Sequence, residues 1–238
     1  MKAAIIQFTP DFPTPLLNFN SLIALCEEAA ASGAKLIQLP EMCLAPYLWD
    51  STQEIATVAE PKQGASFVKL STFAAKNDLY ICYGYPEVEG SNYYNSQNLI
   101  NPEGKLIGHY RKKHLYEADL SWATPGNLPF QSIQTPVGKI GLGICMDLNF
   151  NDFTHFHVLL ETEILCLAVN WLDEGTDVTS YWAARLTPFT QDVLISNRFG
   201  PERHIKFCGR SSHFQGGELL AIGEKDQNQI IILETKNF

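Results

Sequence analysis

Lys139-Ile140-Gly141-Leu142-Gly143-Ile144-Cys145-Met146-Asp147-Leu148-Asn149 is the stretch whose reading decides the fold. From Lys139 to Ile144 nearly every position that is not glycine is apolar, the pattern of a buried strand. The run stops at Cys145, and a polar segment takes over just past the sulfur. A core cysteine sits within such a run, as Cys82 and Cys166 do; one at its end faces whatever lies beyond the strand. In α/β sheets that is the crevice where functional side chains converge.

Outward from this stretch the chain alternates strand and helix. Ala3–Phe8 reads as a buried strand. After a loop holding Pro10, Pro13 and Pro15, apolar residues recur at Leu16, Phe19, Ile23, Cys26 and Ala30. This is helical spacing, with Thr14 as cap, Pro15 at the first position and Gly33 beyond the end. Leu36–Leu39 is a short strand stopped by Pro40. Phe67–Lys76 is expected as helix and Leu79–Tyr85 as strand. Two further strands flank Asn101-Pro102-Glu103-Gly104, a type I turn pattern. Asp152–Leu160 and Val178–Gln191 are expected as helices, with strands at Ile164–Ala168, Val193–Ser196 and Gln229–Leu233. Such alternation with inserted hairpins indicates an α/β protein with a mixed sheet. No repeat or low-complexity linker divides the chain, so residues 1–238 are read as one domain.

The composition narrows the function. Of 238 residues, 26 are acidic and 17 basic, giving a net charge of −9, and 45% are hydrophobic. That excludes a disordered chain and argues against nucleic acid or an anionic membrane as the main partner, since both call for basic patches. The N-terminal apolar run is too short for a signal peptide, so a cytoplasmic location is expected. The six cysteines form no C-x-x-C pair. They are expected to be reduced and mostly buried as small apolar residues. His155 and His157 lie near no cysteine or carboxylate at ligand spacing and are expected at the surface.

Two other polar residues follow apolar strands as Cys145 does: Glu41 after Leu36–Pro40, and Lys112 after Leu106–Arg111. Each alone has an ordinary reading, as a solvated loop carboxylate, part of a wet charged stretch, or a core thiol. Together they make a chemical set. A thiol reacts as thiolate, which an ammonium such as Lys112 favours, while a carboxylate such as Glu41 can take the proton.

Leu39-Pro40-Glu41-Met42, Tyr110-Arg111-Lys112-Lys113-His114-Leu115 and Gly143-Ile144-Cys145-Met146-Asp147-Leu148 resemble the three signature segments of the nitrilase superfamily of carbon–nitrogen hydrolases. Ala4-Ile5-Ile6-Gln7-Phe8, Tyr94-Asn95-Ser96, Gly104-Lys105-Leu106-Ile107-Gly108 and Asn170-Trp171 support it in the expected order. The resemblance weakens after about residue 175. It implies a four-layer α-β-β-α sandwich, a homodimer, and a Glu-Lys-Cys triad needing no metal or organic cofactor. Glu41 would be the general base, Cys145 the nucleophile forming a thioester, and Lys112 the oxyanion's partner, with the Met146 backbone N–H. In an extended segment Lys112 shares a face with Tyr110 and His114, and Lys113 points away. Relatives carry a second glutamate before a Pro-Gly pair. Counting back from Pro125-Gly126 favours Asp119, residue type favours Glu117, and the shorter Asp side chain puts contact with Lys112 in doubt. Asn170 and Trp171 are candidate substrate-binding residues, with Trp171 either walling the pocket or belonging to the core.

The substrate stays open between classes. Many small-acid amidases of this superfamily have an arginine about four residues after the cysteine. Asn149 stands here, which removes an evident clamp for a substrate carboxylate unless Arg185, Arg198 or Arg210 replaces it. Pro188 is expected to shorten or kink the helix around it. The wording around Cys145, with Leu115-Tyr116, Asp119 and Trp122, is similar to the branch that deamidates N-terminal Asn or Gln of proteins. Such an enzyme needs an acidic partner for the α-amine, from Asp119, Glu117, Asp147 or Asp173. Long extra segments known in that branch have no room in 238 residues. The alternatives are a small-amide or carbamoyl hydrolase, a nitrile-directed enzyme, and a scaffold without turnover, the last opposed by the intact Glu41, Lys112 and Cys145.

Overall fold

Alternation along the first strand shows how the layers form. Ala3 and Ile5 face one way and Ala4 and Ile6 the other, and all four are fully buried. Ala3 and Ile5 pack with Leu142 and Leu165, whereas Ala4 and Ile6 pack with Leu22, Cys26, Phe67 and Leu70. A strand apolar at every position is thus one buried on both faces.

The computed structural model describes residues 1–11 and 15–236. In chain order its elements are β1 (Lys2–Gln7), α1 (Pro15–Ala31), β2 (Leu36–Gln38), α2 (Thr52–Ile55), α3 (Ala65–Asn77), β3 (Tyr80–Glu89), β4 (Asn92–Ile100) and β5 (Leu106–Arg111). A 3₁₀ turn (Glu117–Ser121) leads to β6 (Gln131–Thr135) and β7 (Gly138–Ile144). A second 3₁₀ turn (Cys145–Asn149) leads to α4 (Asn151–Leu159), β8 (Ile164–Val169), α5 (Val178–Leu186) and β9 (Asp192–Asn197). The chain finishes with β10 (Phe199–Glu202), β11 (Ile205–Cys208), β12 (Ser212–Gln215), β13 (Glu218–Ile222) and β14 (Gln229–Glu234). The Thr14 cap lies outside the described residues, while Pro15 does open α1.

There are two mixed sheets where alternation alone suggested one. Their orders are β14-β1-β2-β3-β4-β5 and β13-β12-β9-β8-β7-β6. Each has a parallel centre, β1-β2-β3 and β7-β8-β9, extended by antiparallel strands. The sheets pack face to face, with α1 and α3 covering one and α4 and α5 the other, a four-layer α-β-β-α sandwich. Hydrogen bonds also cross between the sheets: Ser196 Oγ donates to the Ile6 carbonyl at 2.6 Å and Gln97 Nε2 to that of Cys166 at 3.2 Å. Among the described residues no helix is long and apolar enough to cross a membrane.

The turn at Asn101–Gly104 closes through Gly104 N–H to the Asn101 carbonyl at 2.9 Å. α5 stops at Leu186, two residues before Pro188, which has no N–H to continue the helical hydrogen bonding. The five cysteines other than Cys145 are buried and reduced.

His157 corrects an expectation. His155 is exposed, but His157 is fully buried, one helical turn after the buried Phe153 on the face of α4 that lies on β7. The glycines of β7 make room for that face. A Cβ on Gly143 would meet Phe153 Cζ at 2.3 Å, and one on Gly141 would meet His157 Nδ1 at 2.7 Å. His157 Nδ1 bonds Thr162 Oγ1 at 3.0 Å. Burial holds the imidazole down to about 3. A depressed histidine is neutral in the fold, so its contribution is complete above the unfolded value of about 6.5 and is lost as pH falls toward 3. Between pH 6.5 and 5 this removes on the order of 1–2 kcal/mol. His157→Gln is expected to flatten that part of the stability profile; denaturant midpoints at pH 5, 6 and 7 with unaltered spacing would refute this.

Candidate active site

Glu41 follows β2, and neighbouring backbone pins it. Pro40 ends the strand, but its carbonyl accepts from Gly84 N–H at 3.1 Å and Cys43 N–H donates to the Gly84 carbonyl at 3.0 Å. This needs a glycine at 84, since a Cβ there would lie 2.7 Å from Glu41 Cα. The following loop is clamped by buried Arg198, whose Nη2 donates to the carbonyls of Met42 at 3.0 Å and Ala45 at 2.7 Å. Glu202, on the β10–β11 hairpin, accepts from the backbone of Tyr47 and Leu48.

Lys112 comes one residue after β5, its N–H donating to the Asn95 carbonyl at 2.8 Å. Its ammonium bridges Glu41 Oε1 at 2.8 Å and Asp119 Oδ2 at 2.6 Å, and all three side chains are fully buried. Asn95 Nδ2 closes the cluster, donating to Glu41 Oε1 at 2.6 Å and Asp119 Oδ1 at 3.3 Å. Of the two carboxylates left open, Asp119 is brought to Lys112, whereas Glu117 is exposed. The short Asp side chain reaches because the 3₁₀ turn carries its backbone inward, and Tyr116 N–H holds Oδ2 from behind at 2.9 Å. Lys113 points outward and pairs with Asp152 at 3.3 Å.

Cys145 ends β7 with φ +43°, the left-handed region that a non-glycine residue enters at a cost of order 1 kcal/mol. Asp147 holds this turn. Its Oδ2 accepts from Ile144 N–H at 3.1 Å and the Tyr110 hydroxyl at 2.8 Å, and its Oδ1 from His114 N–H at 3.0 Å. One buried carboxylate thus ties the cysteine turn to both sides of the Lys112 segment. The sequence offered Asp147 only as an amine partner; in the fold it is consumed by positioning. Asn95 was quoted only as part of a motif. It stands in a run of polar residues, Asn95-Ser96-Gln97-Asn98, so residue type alone did not single it out.

The electrostatics follow from burial and pairing. Burial opposes the Lys112 ammonium, but Asp119 and Glu41 outweigh it and hold its pKa well above the ordinary value. Burial raises Glu41 above the usual carboxylate range, against the pull of Lys112. Burial and the Glu41 charge raise the Cys145 thiol, with Lys112 and an Asn170 backbone contact opposing them. At rest the sulfur therefore keeps its proton. Glu41 Oε2 is buried and has no hydrogen-bond partner among the described residues.

Above Cys145 opens a cavity of about 330 Å³, lined among others by Tyr47, Tyr116, Met146, Asn149, Asn170, Trp171 and Glu174. Trp171 serves both readings left open for it, lining the cavity and standing edge-on to buried Trp182 at 5.7 Å between centroids. Among the described residues none of Arg185, Arg198 and Arg210 lines this cavity. Arg185 Nε is spent on the Leu148 carbonyl at 3.0 Å.

The sequence model of the carbon–nitrogen hydrolase family matches residues 2–212. The chain belongs to the carbon–nitrogen hydrolases. This hydrolase is 30% identical to the protein N-terminal amidase of Schizosaccharomyces pombe over 256 aligned positions, covering 89% of this chain and 90% of that protein. It is 27% identical to a nitrilase of Pyrococcus abyssi, covering 98% and 89% of the two chains. It is 31% identical to the omega-amidase of Mus musculus, covering 62% and 56%. An amidase from Nesterenkonia sp. superposes with a TM-score of 0.89 at 20% identity, covering 100% of this chain and 90% of that one; this concerns the fold alone. The carbon–nitrogen hydrolase is thus an enzyme of the class acting on bonds other than peptide bonds. The length objection to the N-terminal amidase branch does not hold for the S. pombe relative, most of which this chain spans.

Proposed function

We propose that this hydrolase cleaves a carboxamide through a thioester on Cys145, releasing ammonia. The observation that carries the reading is the buried Glu41–Lys112–Asp119–Asn95 cluster, in which one carboxylate oxygen, Glu41 Oε2, has no hydrogen-bond partner among the described residues. Glu41 takes the thiol proton as sulfur attacks the carbonyl carbon. The resulting oxyanion meets the Lys112 ammonium and the Met146 N–H. Collapse breaks the C–N bond, the Glu41 proton leaves with ammonia, and the acyl group stays on sulfur. Water, deprotonated by Glu41, then attacks the thioester; the C–S bond breaks, the carboxylic acid leaves as product, and the proton on Glu41 returns to the sulfur. Asp119 and Asn95 touch no reacting atom; they hold Lys112 and Glu41 in place.

Mass spectrometry of the protein quenched during turnover tests this, since the mass added at Cys145 reads out the acyl group. Glu41→Gln keeps the shape and removes the base, so hydrolysis is expected to fall at least about 10²-fold with substrate binding retained. Turnover near the wild-type rate would remove Glu41 from the mechanism.

A second reading, deamidation of an N-terminal Asn or Gln side chain, is supported by the extent of similarity to the S. pombe protein N-terminal amidase. The four carboxylates considered for the α-amine are otherwise placed. Asp119 and Asp147 are consumed as above, Asp173 pairs with Lys225 at 3.1 Å, and Glu117 is outside the cavity lining. The cavity's own carboxylate, Glu174, was not among them.

A further inference from the structure

We propose that Glu174 receives a positively charged group of the substrate, so that this hydrolase selects amides carrying an ammonium over neutral and anionic ones. The proposal rests on the reading of Cys145 as the reacting residue and deepens it. Among the described residues Glu174 is the one charged side chain lining the cavity over Cys145, and it makes no hydrogen bond or ion pair with another of them. The lysines reaching this loop are held elsewhere: Lys225 by Asp173 at 3.1 Å, and Lys206 by Asp226 at 3.4 Å and Asp173 at 3.8 Å. A carboxylate without a cation, in a wall otherwise neutral, attracts positive charge and repels an acid.

A second observation points to a ligand. Asn170, in the same wall, is only 2% exposed, yet neither oxygen nor nitrogen of its carboxamide has a hydrogen-bond partner among the described residues. A buried amide with both valences open is costly unless something completes it. A substrate that brings a donor and an acceptor does so.

A second cleft adjoins the cavity. Tyr116 and Leu172 line both it and a neighbouring cleft of about 350 Å³, whose charged walls are Asp50 and Glu117, with His204 beside them. Asp50 is paired with Arg203 at 2.9 Å, but Glu117 has no ion pair among the described residues. A substrate that spanned both would run from one acidic wall to another, as fits a peptide with a free N-terminus.

The test uses full-length Cys145→Ala protein, so that binding is read without turnover. Calorimetry compares asparaginyl-glycinamide, its desamino analogue (the same molecule without the ammonium) and succinamic acid. The cationic amide is expected to bind about tenfold more tightly than the desamino analogue, the scale of a charge-assisted contact reduced by solvent. Adding Glu174→Gln should abolish that difference by weakening the cationic ligand, and Glu174→Lys should turn the preference toward succinamic acid. Equal affinity for the cationic and desamino ligands overturns the proposal. So does a preference that survives Glu174→Gln, or no binding of any of the three. Ammonia release is measured in parallel with Cys145 intact. Charge-selective binding without ammonia release would sink the thioester reading and keep Glu174; ammonia release without charge preference would do the reverse.

Discussion

Cys145→Ala is expected to abolish ammonia release from every amide while the fold persists. The sulfur is the only atom removed, from a side chain 7% exposed at the floor of the cavity, so little packing is lost. The strained turn does not depend on it either. Asp147 holds that turn through Ile144, Tyr110 and His114, and alanine keeps the same Cβ. A circular dichroism melt within a few degrees of wild type, with turnover at background, is the expected pair of results. Substantial residual turnover would show that the chemistry does not run through this thiol. The other five cysteines set the contrast. Each is in the core, and serine there would bury a hydroxyl, so those variants should lose stability rather than chemistry.

The second large effect is expected at Lys112, where activity and stability separate. Lys112→Ala leaves two buried carboxylates, Glu41 and Asp119, without the cation between them. Removing one partner of a buried ion pair typically costs about 3–5 kcal/mol, so this variant should melt markedly lower. Lys112→Arg keeps the charge but not its shape. A planar guanidinium is too broad for the point where one ammonium meets Glu41 Oε1 and Asp119 Oδ2 within 2.8 Å. Loss of one preorganised donor costs about 10²–10³ in rate, and both variants should show it in kcat/KM. Lys113→Ala is the control, since Lys113 is half-exposed, pairs with Asp152 and lies over the Phe130 ring, away from Glu41 and Asp119. Full activity in Lys112→Arg, or equal losses at 112 and 113, would overturn the role assigned to Lys112.

Much of the architecture was legible because apolar runs declare strands and their ends. Glu41, Lys112 and Cys145 each stand where such a run stops, a position that the chain order alone reveals. The boundaries of α3, β7, β8 and β9 fall within two residues of those expected from periodicity. Periodicity alone did not give two sheets rather than one, because strand patterns record burial but not which strands pair; the four-layer sandwich came from the family resemblance and is what the fold shows. The burial of His157 was overlooked although its helical spacing from Phe153 signalled it.

What the sequence by itself determined, then, is the family, through the resemblance of its three signature segments, and the α/β class with the three strand-end residues, because local apolar periodicity sets where backbone must be buried. Tertiary structure alone decided the rest of the site. Glu117 and Asp119 are two residues apart, yet one turn of 3₁₀ helix sends Asp119 to Lys112 and Glu117 to solvent. Asn95 meets Glu41 across 54 residues of chain, and Asp147 meets Tyr110 across 37. Glu174 enters the cavity on a loop with no period to read. In irregular segments no repeating geometry links residue number to side-chain direction, so the packing of distant strands and turns settles which polar groups meet.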